Sequence, residues 1–151
     1  MTRLLAERML GRLVTWLRIL GHDTAVVDRP PPRVPAGAAL LTRRRALAGR
    51  PGVLFLASDH WPDQLRQVVG ELNLSLDPAC FFSRCLRCNA PVAPISRAEA
   101  ATSAPDHILA TAEGFTRCPA CGRVYWPGSH GARAVARLEE LLGDLNREMK
   151  A

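Results

Sequence analysis

Lysine is almost missing from this chain: a single one, Lys150, stands against 19 arginines. Basic charge therefore rests on planar guanidinium forks, each able to donate two parallel hydrogen bonds to a phosphate. Long apolar runs are missing too. None approaches the roughly 20 residues that a membrane-spanning helix needs, and charge interrupts the opening Met1-Thr-Arg-Leu-Leu-Ala-Glu-Arg8. This excludes a membrane span and points to a soluble, cytoplasmic protein. There is no internal repeat beyond paired cysteines and no low-complexity tract beyond one proline loop. His22, His60 and His130 show no spacing that would pair a base with a nucleophile, which leaves them structural roles.

What is present is charge and cysteine. The formal net charge is +6. Residues 1–84 hold 12 basic and 7 acidic side chains, net +5, and residues 85–151 hold 8 and 7, net +1. An arginine-rich surface points to nucleic acid, and the first half carries it. A compositional bias without function is the competing reading.

The cysteines read Cys85-Leu-Arg-Cys88, then 29 residues, then Cys118-Pro-Ala-Cys121-Gly122. Each two-residue spacer lets a tight turn aim both sulfurs at one tetrahedral ion, and four thiolates are the closed ligand set of structural zinc. Two disulfides or unrelated thiols would fit the count, but the repeated spacing and the following Gly122 favour zinc. Thiolate ligation suits a reducing compartment. Cys80 lies outside the pattern and reads as a small buried apolar residue.

Periodicity predicts one amphipathic helix over Leu4 to Leu20, through Leu5, Met9, Leu10, Leu13, Val14, Leu17 and Leu20, with Gly21 as its cap. Arg8, Arg12 and Arg18 fall off that stripe, on a solvated face. Thr24 to Val27, Ala38 to Leu41 and Val53 to Ala57 read as short buried strands, and Gln64 to Leu74 as a helix. Asp28-Arg-Pro-Pro-Pro-Arg-Val-Pro-Ala-Gly37 is a stiff loop. Asp59 and Asp63 read first as helix caps. Ser96-Arg-Ala-Glu99 is a capping box, Val124 to Trp126 a ribbon strand, and Ser129 the start of a final helix that frays after Leu145. The expectation is an α/β domain over residues 1–79 and a cysteine-ribbon module with a terminal helix over 80–145.

Several stretches resemble the Mut-seven C-terminal ribonuclease domain. They are Arg8-Met-Leu-Gly-Arg-Leu13, Trp16-Leu-Arg-Ile-Leu-Gly-His-Asp-Thr24, Leu40-Leu-Thr-Arg43, Gln64-Leu-Arg66, Cys85 to Asn89, and Cys118 to His130. The resemblance runs from about Glu7 to Arg133. It implies a PIN-like small parallel sheet with flanking helices, a C-terminal zinc ribbon with four cysteine ligands, and RNA as substrate. It also implies aspartates at strand ends that hold Mg²⁺ or Mn²⁺ for phosphodiester cleavage. Here the chain departs from its family. Glu7 stands where the family has an aspartate, and Arg44 replaces the last residue of Leu-Thr-Arg-Asp. The remaining candidate acids are Glu7, Asp28, Asp59 and Asp63, of which Glu7, Asp28 and Asp59 form the expected catalytic set.

Two functional readings follow. One is a metal-dependent ribonuclease, weakened at residue 44. The other is a non-catalytic module that binds RNA or a ribonucleoprotein through Arg8, Arg12, Arg43, Arg44 and Arg45. A protein-docking role for Trp61 or the proline loop is a third. Zinc on Cys85, Cys88, Cys118 and Cys121 is common to all of them.

Overall fold

The computed structural model describes residues 2–150. The chain forms two compact units, one up to Asn89 and one from Ala90 onward.

The first unit is built on four parallel strands, β1 (Arg3–Glu7), β2 (Thr24–Val27), β3 (Ala38–Thr42) and β4 (Val53–Phe55). Their order is β2-β1-β3-β4, so β1 sits inside the sheet, paired through Leu5 to Ala25 on one side and to Leu40 on the other. This corrects the helix expected from Leu4. A central parallel strand is covered on both faces and reads as a continuous apolar run, and Leu4-Leu5-Ala6, all buried, is such a run. The helix α1 (Gly11–Ile19) begins only after a 3-10 turn at Arg8–Leu10.

Helix α1 packs against α2 (Trp61–Glu71), burying Leu13, Val14 and Leu17 on one and Leu65, Val68 and Val69 on the other. Trp16 and Trp61 stack face to face across this pair, with ring centroids 4.8 Å apart and planes 4° from parallel. Burial of these aliphatic side chains, each contributing roughly 1.5–3 kcal/mol, holds the two helices together, and α1 also packs against β2. The proline loop, residues 28–37, carries the chain from β2 to β3 without a helix. Its Val34 side chain lies over Gly52, whose φ of +75° and lack of a Cβ permit the approach.

The second unit holds an antiparallel ribbon of β5 (Ala93–Ile95), β6 (Phe115–Arg117) and β7 (Val124–Tyr125). Two short helices, α3 (Arg97–Ala100) and α4 (Asp106–Thr111), fill the insertion between β5 and β6. Ser96 caps α3 by accepting the Glu99 N–H at 3.1 Å. Ala100, Ala104, Ala112, Phe115 and Val124 form its small core, with Trp126 edge-on to Phe115. The last helix, α5 (Ser129–Lys150), runs past the expected end at Leu145. Arg147 and Glu148 are good helix formers, and no glycine or proline follows Gly143 to stop it. Among the described residues no helix is long and apolar enough to cross a membrane.

Candidate active site and metal centre

In a parallel sheet every strand ends on the same edge, and functional groups of α/β folds gather there. The C-terminal edge of this sheet carries Glu7 at the end of β1, Asp28 just after β2, and Thr42 to Arg44 at the end of β3. Glu7 is the buried acid, with its side chain 4% exposed. The Thr42 hydroxyl donates to Glu7 Oε2 at 2.5 Å, and the Arg44 N–H in turn donates to Thr42 Oγ1 at 2.9 Å. Arg44 Nε lies 2.8 Å from Glu7 Oε1. That oxygen is buried and has no aligned hydrogen-bond donor, so the Arg44 contact is ionic rather than a directed hydrogen bond.

The other acids are engaged differently. Arg8 Nε and Nη2 both donate to Asp28 Oδ1, at 2.8 and 2.5 Å. Asp59 is exposed, 3.6 Å from His60 Nε2, and does not cap α2. The helix entry is closed instead by Ser58, whose hydroxyl accepts the His60 N–H and donates to Asp63 Oδ2. Among the described residues, Glu7, Asp28 and Asp59 do not gather into a three-ligand group. Thr42 was invisible as a site residue in the sequence. Its signals were its place at the end of a strand beside the Arg43-Arg44-Arg45 run and its membership of the Leu40-Leu-Thr-Arg43 stretch, neither of which assigns it a partner.

The basic candidates also have partners within the chain. Arg43 Nη1 donates to the carbonyls of Leu56 and Ala57, Arg45 lies over the Phe55 ring, and Arg12 lies over Trp61 at 5.8 Å. A cleft of about 410 Å³ opens between the start of α1 and the start of α2. Met9, Leu10, Arg12, Asp59, His60 and Trp61 are among its walls.

Four sulfurs, those of Cys85, Cys88, Cys118 and Cys121, lie within 4.8 Å of one another. Tetrahedral thiolates about 2.3 Å from zinc stand roughly 3.8 Å apart, so this quartet fits such an ion. Both knuckles turn the same way. Asn89 and Gly122, each one residue past a pair, have φ of +67° and +77°, and each donates its N–H to the first cysteine's carbonyl, both at 2.9 Å. Cys80 is half-buried and stands outside the quartet.

The first knuckle is tied into the α/β unit by Arg18, which is buried rather than solvated. Its Nη1 donates to the carbonyls of Leu86 and Arg87, and its Nε and Nη2 donate to the Thr24 carbonyl. Burial lowers the Arg18 pKa from its ordinary value, while the nearby sulfurs of Cys85 and Cys88 and the Asp23 carboxylate act in the opposite direction. Asn89 completes the tie, donating to Asp23 and accepting the Thr24 N–H. Helical periodicity could not reveal Arg18, because at its spacing a buried clamp and an exposed arginine look alike.

No curated protein and no solved structure matches the chain. A family model described as the Mut7-C RNAse domain matches residues 2–138, which takes in the parallel sheet, the cleft and both cysteine pairs. The chain therefore belongs to the Mut7-C RNAse domain family.

Proposed function

We propose that the chain binds RNA along the C-terminal edge of a PIN-like sheet, and that Arg44 suppresses its phosphodiester cleavage. The ion pair between Arg44 Nε and Glu7 Oε1, at 2.8 Å, carries this reading. A guanidinium at that distance neutralises the buried carboxylate of the edge and repels an approaching divalent cation. Asp28 is engaged by Arg8, and Asp59 stands exposed beside His60. As they stand, these residues do not fit Mg²⁺ or Mn²⁺, which bind through clustered oxygen ligands. Cleavage is slow for that reason.

Binding is what the arginines support. Arg8, Arg12, Arg43, Arg44 and Arg45 all follow within five residues of the end of β1 or β3. The cysteine quartet has no open position and holds the ribbon with zinc, its thiolates suiting that ion.

The test compares wild type, Arg44→Asp and Arg44→Ala on single-stranded RNA with and without Mn²⁺, alongside RNA affinity as a function of salt. Salt-sensitive binding with slow wild-type cleavage, rising in Arg44→Asp when Mn²⁺ is added, supports the proposal. Vigorous wild-type cleavage abolished by Glu7→Ala would show that the family activity persists through the pair and would end this reading.

A further inference from the structure

The cleft beside the sheet edge has a wall that the ion pair does not explain. Its floor begins at Met9, two residues past Glu7, and Met9 is 66% exposed although Glu7 before it and Leu10 after it are buried. An unbranched thioether held in the open is costly in water and is a soft surface for a flat ring. Across the cleft stands Trp61, one member of a parallel indole pair with Trp16, so the wall is rigid. Arg12 lies over the Trp61 ring and keeps a cation at the rim. His60, 79% exposed, offers a third ring, and Asp59 beside it is the lining carboxylate.

From this we infer that the Met9–Trp61 cleft is a stacking subsite for one unpaired base of single-stranded RNA, an inference that rests on the RNA-binding reading above. A flat aromatic base finds apolar surface on Met9 and ring surface on His60, with the Trp61 indole, backed by Trp16 and met by Arg12, as the adjoining wall; stacking of this kind is the sequence-tolerant mode by which proteins hold single strands. Arg12 at the rim and Arg8 after β1 supply cations for the flanking phosphates. In a duplex the base is stacked and paired, and its edge cannot enter a cleft of this size without being flipped out, which adds an unpairing cost that a single strand does not carry. Single strands are therefore preferred.

The experiment measures affinity and tryptophan fluorescence with a single-stranded RNA oligonucleotide and with the same sequence in a duplex, at one fixed salt concentration. The full chain is used as wild type, Met9→Ser, Trp61→Phe and Trp61→Ala. The single strand is expected to quench tryptophan fluorescence and to bind more tightly than the duplex. Trp61→Ala should weaken single-strand binding by about tenfold and leave duplex binding unchanged, with Trp61→Phe retaining most of the affinity. Met9→Ser, at a position 66% exposed, should weaken single-strand binding several-fold, which keeps the test intact if Trp61→Ala fails to fold. Single-strand binding unaltered by Met9→Ser and Trp61→Phe, with no fluorescence change in wild type, would overturn the subsite while leaving RNA binding standing. No binding to either RNA would overturn both.

Discussion

Arg18 Nη1 donates to the Leu86 carbonyl at 2.9 Å, a bond from the second half of α1 to the turn between Cys85 and Cys88. A metal held by four thiolates carries net negative charge, and a buried guanidinium this near offsets it. Metal retention and the α1–β2 corner are thus linked. Arg18→Met removes donors from the carbonyls of Thr24, Leu86 and Arg87, and the buried Thr24 acceptor left unmade costs about 1–3 kcal/mol, the two part-buried ones less. The variant is expected to fold with lower urea resistance and to release zinc to a chelator faster than wild type. Zinc at one ion per chain in wild type, lost in Cys118→Ala and kept in Cys80→Ser, checks the quartet itself; equal release rates in wild type and Arg18→Met would break the linkage.

Gly21 closes α1 with φ of +92°, and a Cβ there would lie 2.3 Å from the Cys80 carbonyl oxygen. Backbone cannot move aside as a flexible side chain can. Gly21→Ala combines a left-handed conformation with that clash, so a loss on the order of 2–4 kcal/mol is expected. Denaturant midpoints of the variant and wild type measure it, and a shift below about 1 kcal/mol would mean the corner is softer than its geometry suggests.

His22 is buried, and its Nε2–H donates to the Ser75 carbonyl at 2.8 Å, since a carbonyl can only accept. Burial lowers its pKa, the Ser75 bond acts the other way, and the Arg84 guanidinium lowers it further. A base whose folded pKa lies below its unfolded value of about 6.5 favours the folded state above that value. That stability is lost as pH falls below about 6.5 toward the lower folded pKa. Wild type should therefore lose stability over this window more steeply than His22→Gln, as measured by unfolding at about pH 7.5, 6.5 and 5.5. Parallel curves would assign the acid sensitivity to other groups.

How far the sequence discloses this molecule depends on which physical signal each part leaves. The cysteine quartet is legible because metal ligation fixes both residue type and spacing. Thr24 to Val27 and the strands around Leu40 and Leu54 are legible because they are short apolar runs bounded by turns. The central strand β1 is not, because Leu4-Leu5-Ala6 fits a helix stripe and a doubly covered strand equally well, and pairing with β2 and β3 decides between them. Glu7 was visible as a candidate acid and Arg44 as a substitution. Their pairing was not, because it depends on the register that sets β3 beside β1.

The pair between Arg44 and Glu7 is the place where stability and chemistry conflict. Glu7 is a buried carboxylate, so taking away its cation leaves it, among the described residues, with the Thr42 hydroxyl as its side-chain partner. Arg44 is more than half exposed, so solvent screens part of the attraction, and a coupling of about 1 kcal/mol is the reasonable scale. A double-mutant cycle over Glu7→Gln and Arg44→Met, read by urea unfolding at about pH 7, isolates it. Arg44→Met alone should destabilise the chain, and adding Glu7→Gln should recover much of the loss, because the orphaned charge is gone. The same Arg44→Met protein should bind Mn²⁺ more readily than wild type, since the repelling guanidinium has left and the carboxylate has not. Arg44→Met without loss of stability and without gain of Mn²⁺ affinity would mean that the 2.8 Å contact restrains neither the fold nor the acid.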